Sequence, residues 1–251
     1  VKPAGEVRGT ALVLPGSSNR LETARAELLA AQGIAALPMR LFEDSLELVE
    51  LDRYIEALDL LATLSPALGV VGTSKGAEAA LLIASRDPRV TGVVAFAPSH
   101  VVWAGLGGRP VSSWTWHGQP LPFVRFDETW QPDGDPPAYR GLYEASLPAA
   151  PADAHIPVEQ ISSEVLLAAG GADKVWPSVP MAQAIRQRRD ARKTTVHTHA
   201  AAGHRIVLPG ETPAGGGQRM VRGGTPDAAA ALGDAVWSDL VRVLTAPSGP
   251  D

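Results

Sequence analysis

The stretch Gly72-Thr73-Ser74-Lys75-Gly76 sets one serine between two glycines, after the apolar run "ALGVVG" and before the alanine-rich "AEAALLIAS". This is G-x-S-x-G at a strand-to-helix corner, the context in which a serine hydroxyl is held clear of the backbone as a nucleophile. Glycine at 72 and 76 lets strand and helix approach closely, and the start of the helix favours negative charge beside it. The plainer use of a serine here is as a helix N-cap. A serine hydroxyl is barely ionised at neutral pH, so the nucleophilic use requires a base within hydrogen-bond reach and a partner that fixes the base's tautomer.

Six histidines are available for the base. His204 follows the strand-like "KTTVHTH" in a loop and is the last of them. His197 and His199 alternate along that strand, share one face and read as packed or solvated. His100, His117 and His155 lie in or beside an irregular region. For the acid, Asp173 in "GGADKVWPS" follows the apolar run "EVLLAAG", where its carboxylate could meet a histidine arriving from the next strand. An aspartate there also serves as a turn former. Asp87 and Asp190 come after helices, at the wrong end of a sheet. The order Ser74, Asp173, His204 is the one in which a triad runs on a sheet with this kind of nucleophile corner. Acyl transfer further requires two backbone donors for the developing oxyanion. The Lys75 N–H is one candidate and that of Ser17, in "LPGSSNR", the other, with Ser18 next; the same three residues could simply cap a helix beginning near Arg20.

Positioning such residues requires alternating elements, and the chain supplies them. Strand-like runs at 9–15, 33–39, 67–72, 92–98, 163–171 and 193–199 are separated by helical patterns at 20–32, 48–64, 74 to about 86, and 178–189, with a last helix at about 227–244. The runs show little polar alternation, as expected of strands buried on both faces of a parallel sheet. The prediction is an α/β domain spanning 1–251, mostly parallel and flanked by helices, with function at the carboxyl ends of the strands. From about 99 to 161 both periodicities lapse among Pro, Gly and Trp, which marks an irregular cap insertion. Trp103, Trp114, Trp116 and Trp130 fall there, and Trp176 follows Asp173. They are candidates for an aromatic wall against an acyl chain or ring, or for packing of the insertion onto the sheet. A Gly-rich loop spans 209–226.

Composition narrows the classes. A net charge of −5 supplies no basic field for nucleic acid. With no cysteine there is no disulfide, thiolate metal site or thiol nucleophile. No run of eighteen apolar residues predicts a membrane span, and a cytoplasmic location is expected. A metal site on His197 and His199 would have i, i+2 spacing but no evident carboxylate beside it. No metal or organic cofactor is expected.

With these residues in place, the chain resembles the catalytic domain of the acyl-CoA thioesterase and bile-acid-CoA:amino-acid N-acyltransferase family, a branch of the α/β-hydrolases related to dienelactone hydrolases. "GTSKGAEAALLIAS", "GGADKVWPS", "AAGHRIVLPGETP" and "GGTPDAAAALGDAVWSDLVRVL" carry the resemblance; "LVLPGSSNRLETARAELLAAQGIAALP" matches less specifically. The β-sandwich domain that often precedes the catalytic domain in this family is not in this sequence. The resemblance implies an α/β-hydrolase fold and a hydrolase acting on a small-molecule acyl ester or thioester, free or linked to coenzyme A or another carrier. Serine rather than cysteine at position 74 points toward hydrolysis. An acyltransferase or cyclising enzyme is the alternative within the class, and a ligand-binding hydrolase-like protein with an idle site the alternative outside it. Arg125, Lys174 and Arg205 could meet a phosphate-bearing carrier or be solvated surface. The sequence leaves the oligomeric state open.

Overall fold

Valine, leucine and alanine dominate the strand runs, and alternate residues of one strand feed two different cores. In the computed structural model, which describes residues 1–212 and 218–245, Leu12 and Leu14 of the first strand pack into one cluster and Ala11 and Val13 into another. Helices must therefore cover both faces.

The strands are β1 (Gly9–Leu14), β2 (Ile34–Pro38), β3 (Val49–Glu50), β4 (Leu68–Thr73), β5 (Gly92–Phe96), β6 (Trp114–Trp116), β7 (Gln119–Pro120), β8 (Glu164–Gly170) and β9 (Thr194–His199). The helices are α1 (Thr23–Ala31), α2 (Asp52–Ala62), α3 (Lys75–Ala84), α4 (Arg140–Ser146), α5 (Ser178–Gln187) and α6 (Pro226–Thr245). Six strands form one parallel sheet in the order β2-β1-β4-β5-β8-β9. Helix α6 lies in the cluster with Ala11 and Val13, through Leu232, Val236 and Leu240; α2, α3 and α5 supply the other face. The order reverses direction between β1 and β4, and such a switch point opens a crevice at the carboxyl ends of the strands. Ser17 follows β1 and Ser74 follows β4, so both border that crevice. No helix among the described residues is long and apolar enough to cross a membrane.

Three expectations need adjusting. Helix α1 begins at Thr23 rather than near Arg20, because Asn19 turns back at φ 54°. The first part of the helix expected from Leu48 is instead the short strand β3, drawn into a three-stranded sheet with β6 and β7 of the insertion. The 99–161 insertion is thus partly regular; it also holds α4 and three single-turn 3₁₀ helices. It builds a small core in which Val101, Trp103, Val124, Tyr143 and Ala154 meet Trp176 and Met181 of the main fold. The middle of the expected Gly-rich loop, 213–217, and the C-terminal 246–251 lie outside the described residues.

Where β5 hands over to the insertion, His100 packs with its Nδ1 orphaned from any hydrogen-bond partner among the described residues. Burial, reinforced by His155 and Arg188, depresses its pKa to about 4. Between that value and about 6.5 the unfolded chain takes up a proton that the folded one refuses, so stability falls as pH drops through this window. Urea unfolding at pH 6.5 and 4.5 should show a loss of about 2 kcal/mol from this one group, below the 1.36 kcal/mol per pH unit that one proton can contribute. His100→Gln should abolish that increment, and an unchanged pH dependence in the variant would refute the assignment.

Candidate active site

Ser74 sits at φ 57° and ψ −117°, a backbone conformation that costs a non-glycine residue about 1–3 kcal/mol. Its N–H donates to the Phe96 carbonyl at 2.8 Å, and its own carbonyl accepts from the N–H groups of Ala77 and Glu78 at 2.9 and 3.1 Å. These bonds hold the corner. The side chain makes no capping hydrogen bond, so although Ser74 occupies the N-cap position its hydroxyl does not serve as the cap. Both flanking glycines are required by space. A Cβ at Gly72 would lie 2.1 Å from the Gly76 carbonyl oxygen, and one at Gly76 would lie 2.2 Å from that of Pro15.

Asp173 and His204 arrive from the loops after β8 and β9. His204 Nδ1 lies 2.8 Å from Asp173 Oδ2, and both side chains are buried. Asp173 Oδ1 accepts from the N–H groups of Val175 and Trp176 at 2.8 and 3.3 Å, which orients the carboxylate. The His204 N–H donates to the Arg222 carbonyl at 2.9 Å, and its ring stands edge-on to that of Trp176 with centroids 5.7 Å apart. His204 and Ser74 line the same cleft.

The loop after β1 abuts the serine: a Cβ at Gly16 would lie 3.4 Å from Ser74 Cβ. The Lys75 N–H opens α3 and has no intrahelical acceptor. Neither it nor the Ser17 N–H is hydrogen-bonded to any group among the described residues. The Ser17–Ser18 turn does not cap α1, since three residues, Asn19 to Leu21, separate it from Glu22, where the helix is entered. Buried Asn19 anchors the loop instead. Its Oδ1 accepts from the Leu41 and Phe42 N–H groups at 2.7 and 3.3 Å, and its Nδ2 donates to the Phe42 carbonyl at 2.6 Å.

Two further pairs were missed in the sequence. Arg25 of α1 forms a bidentate pair with Glu211 at 3.1 and 2.9 Å and also donates to Thr73 Oγ1 at 3.0 Å and the Ile206 carbonyl at 3.2 Å. One guanidinium therefore spans the residue before Ser74 and the loop carrying His204. Lys75 and Glu78 are 1% and 0% exposed and pair at 3.0 Å. Lys75 Nζ also donates to Ser113 Oγ at 2.8 Å, while Glu78 Oε1 accepts from the Trp103 N–H at 3.0 Å and Trp114 Nε1 at 2.7 Å. The pair fastens α3, the helix that follows Ser74, to the insertion. Burial pushes the Glu78 carboxyl up and the Lys75 ammonium down, each partly opposed by the partner's charge. An i, i+3 spacing of Lys and Glu was the available signal; on a solvated helix face it would mean little.

Open space meets Ser74 on two sides. A cleft of about 110 Å³ carries Ser17, Ser18, Glu22, Arg25 and Arg205. A chamber of about 500 Å³ is walled by Leu106, Phe126, Tyr139, Leu142, Tyr143 and Met220. The larger is within the range that small-molecule sites occupy. None of the five tryptophans expected to form the acyl wall lines either space. Trp103, Trp114 and Trp176 are fully buried. They pack behind the wall because their indole N–H groups find partners inside, on Ser99, Glu78 and the Ala97 carbonyl. Trp116 packs against the larger core under the Arg86 guanidinium, and Trp130 lies beside Tyr139. Arg125 and Lys174 border neither space. His197 pairs with Asp239 of α6 at 2.9 Å, a carboxylate neighbour that the strand pattern did not reveal. No group of three or more His, Asp or Glu placed to hold a metal occurs among the described residues.

Residues 49–246 match the family model described as BAAT / Acyl-CoA thioester hydrolase C terminal. The chain belongs to this family. The BAAT / acyl-CoA thioester hydrolase C-terminal match takes in Ser74, Asp173 and His204, and leaves β1 and the Ser17 loop to its N-terminal side. Among solved structures, the esterase domain of a Rhodothermus marinus protein aligns at 16% identity and TM-score 0.52, covering 96% of this chain and 90% of that one. A monoacylglycerol lipase of Paleococcus ferrophilus aligns at 14% identity and TM-score 0.50, covering 79% and 87%. At these identities the likeness is one of fold, the α/β-hydrolase fold. No curated protein gives a significant match.

Proposed function

We propose that this protein is a serine hydrolase that cleaves an acyl thioester or ester through an acyl-enzyme on Ser74. The supporting observation is the buried Asp173–His204 pair opening onto the same cleft as a strained, uncapped Ser74. His204 takes the Ser74 proton as Oγ bonds to the acyl carbon, and the Lys75 and Ser17 N–H groups receive the oxyanion. Collapse breaks the bond to the thiolate or alkoxide, which leaves with the proton from His204. Water then gives a proton to His204 and its oxygen to the acyl carbon, releasing the acid and restoring Ser74. Asp173 holds the imidazole with its proton on Nδ1 throughout.

The two spaces divide the substrate. The apolar chamber suits the acyl group, and the smaller cleft, bordered by several arginines, suits the departing half, including an anionic carrier such as coenzyme A. Intact-mass analysis after exposure to a panel of acyl thioesters and esters tests the reading. A mass increase equal to one acyl group, decaying in water and absent in Ser74→Ala, is expected; transfer of that group to an added amine or alcohol would make the protein an acyltransferase. Failure of a fluorophosphonate to label Ser74 in the folded protein would overturn the nucleophile assignment and leave a binding role.

A further inference from the structure

Within the larger chamber one buried polar group is unaccounted for. Tyr143 of α4 is 6% exposed and lines the chamber, yet its hydroxyl has no hydrogen-bond partner among the described residues. Buried tyrosine hydroxyls ordinarily find one. Nor is the oxygen sealed in. The orphaned side-chain atoms cut off from all open space, among the described residues, are His100 Nδ1 and Ser163 Oγ; Tyr143 Oη keeps an accessible face, and the chamber is the space that Tyr143 borders.

Its position is set by its neighbours. Trp103, Phe126 and Trp176 each meet the Tyr143 ring edge-to-face, with centroids 4.7, 5.4 and 5.3 Å away. Three perpendicular contacts lock the ring without engaging the hydroxyl. Burial, with Glu78, Tyr139 and Asp173 adding to it, raises the phenol above its ordinary pKa, so it stays protonated and can donate or accept. Leu106, Phe126, Leu142, Val175 and Met220 present carbon and sulfur around it, while the polar ends of Tyr139, Gln218 and Arg219 border the chamber from less buried positions.

We infer that Tyr143 is the specificity-determining residue of the acyl chamber, which takes a single-ring acyl group bearing a hydroxyl or oxo substituent that pairs with the Tyr143 hydroxyl. The aromatic wall accepts the ring, and the preorganised phenol reads the substituent. A plain hydrocarbon ring leaves that phenol desolvated and unpaired, which is the asymmetry by which a polar site rejects an analogue lacking the matching group. The inference rests on the reading of the chamber as the acyl site.

Binding can be measured without turnover. In Ser74→Ala protein, the dissociation constants of 3-phenylpropanamide and its three ring-hydroxylated isomers would be determined by calorimetry. At least one isomer should bind about tenfold tighter than the parent, as one added neutral hydrogen bond permits. Adding Tyr143→Phe should cancel that advantage while leaving the parent's affinity within about twofold. Four equal affinities, no binding by any of the four, or a Tyr143→Phe change that weakens parent and isomers alike would each overturn the inference. Turnover of the matching thioesters by the unaltered protein is a separate readout: selective binding with no acyl-enzyme would sink the hydrolase reading and leave Tyr143's role standing.

Discussion

Asp173→Asn should lower the rate of acyl-enzyme formation about 10⁴-fold, the scale on which a triad fails when its histidine is held in the wrong tautomer. The asparagine keeps Oδ1 as acceptor for the Val175 and Trp176 N–H groups, so the loop is retained. At the other position an amide N–H₂ replaces Oδ2 opposite His204 Nδ1, which must then accept rather than donate. The imidazole proton moves to Nε2, the atom that has to receive the proton of Ser74. Single-turnover rates followed by mass, alongside thermal unfolding midpoints, separate this effect from misfolding. A variant that folds normally yet loses less than tenfold in rate would show that Asp173 does not orient the base.

The second large effect concerns stability. Glu78→Gln preserves an oxygen for the Trp103 N–H and the Trp114 indole but strips the charge opposite Lys75. An ammonium that is 1% exposed is then left without its counter-ion. Breaking one side of a buried pair costs about 3–5 kcal/mol, whereas removing both charges together is often close to neutral. Urea unfolding of Glu78→Gln should show a loss of that size, and Lys75→Met combined with Glu78→Gln should recover most of it, because Ser113 Oγ still has the Ala104 carbonyl at 3.0 Å. A single variant that loses under about 1 kcal/mol would mean that the pair is not what holds the insertion to α3.

Much of this architecture was legible in one dimension because its signals are local. Short apolar runs without alternation identified the six strands of the main sheet, and each appears within a residue or two of its expected bounds. Ser74, Asp173 and His204 were legible because each follows such a run, and in a parallel sheet all those ends lie on one edge. The insertion was harder. Its strands are two or three residues long, too short for any period to register. The tryptophans misled for a related reason: composition counts aromatic area but says nothing about which way a ring faces. Three of them turned inward where their N–H groups had partners, and the wall fell to Phe126, Tyr139 and Tyr143, which carry no distinguishing pattern.

What the sequence determined by itself is the doubly covered parallel sheet and the placement of Ser74, Asp173 and His204 at its carboxyl edge, since hydrophobic period, glycine at the corner and chain order are properties of neighbours along the chain. Only the tertiary structure decided which groups surround them: Arg25 finds Glu211 across 186 positions, Asn19 fastens the Ser17 loop to residues 41 and 42, and Lys75 and Glu78 bind a distant insertion. Those contacts join segments far apart in the chain. They exist because buried charges and amides must find partners wherever the packed fold presents them, a requirement that no local pattern encodes.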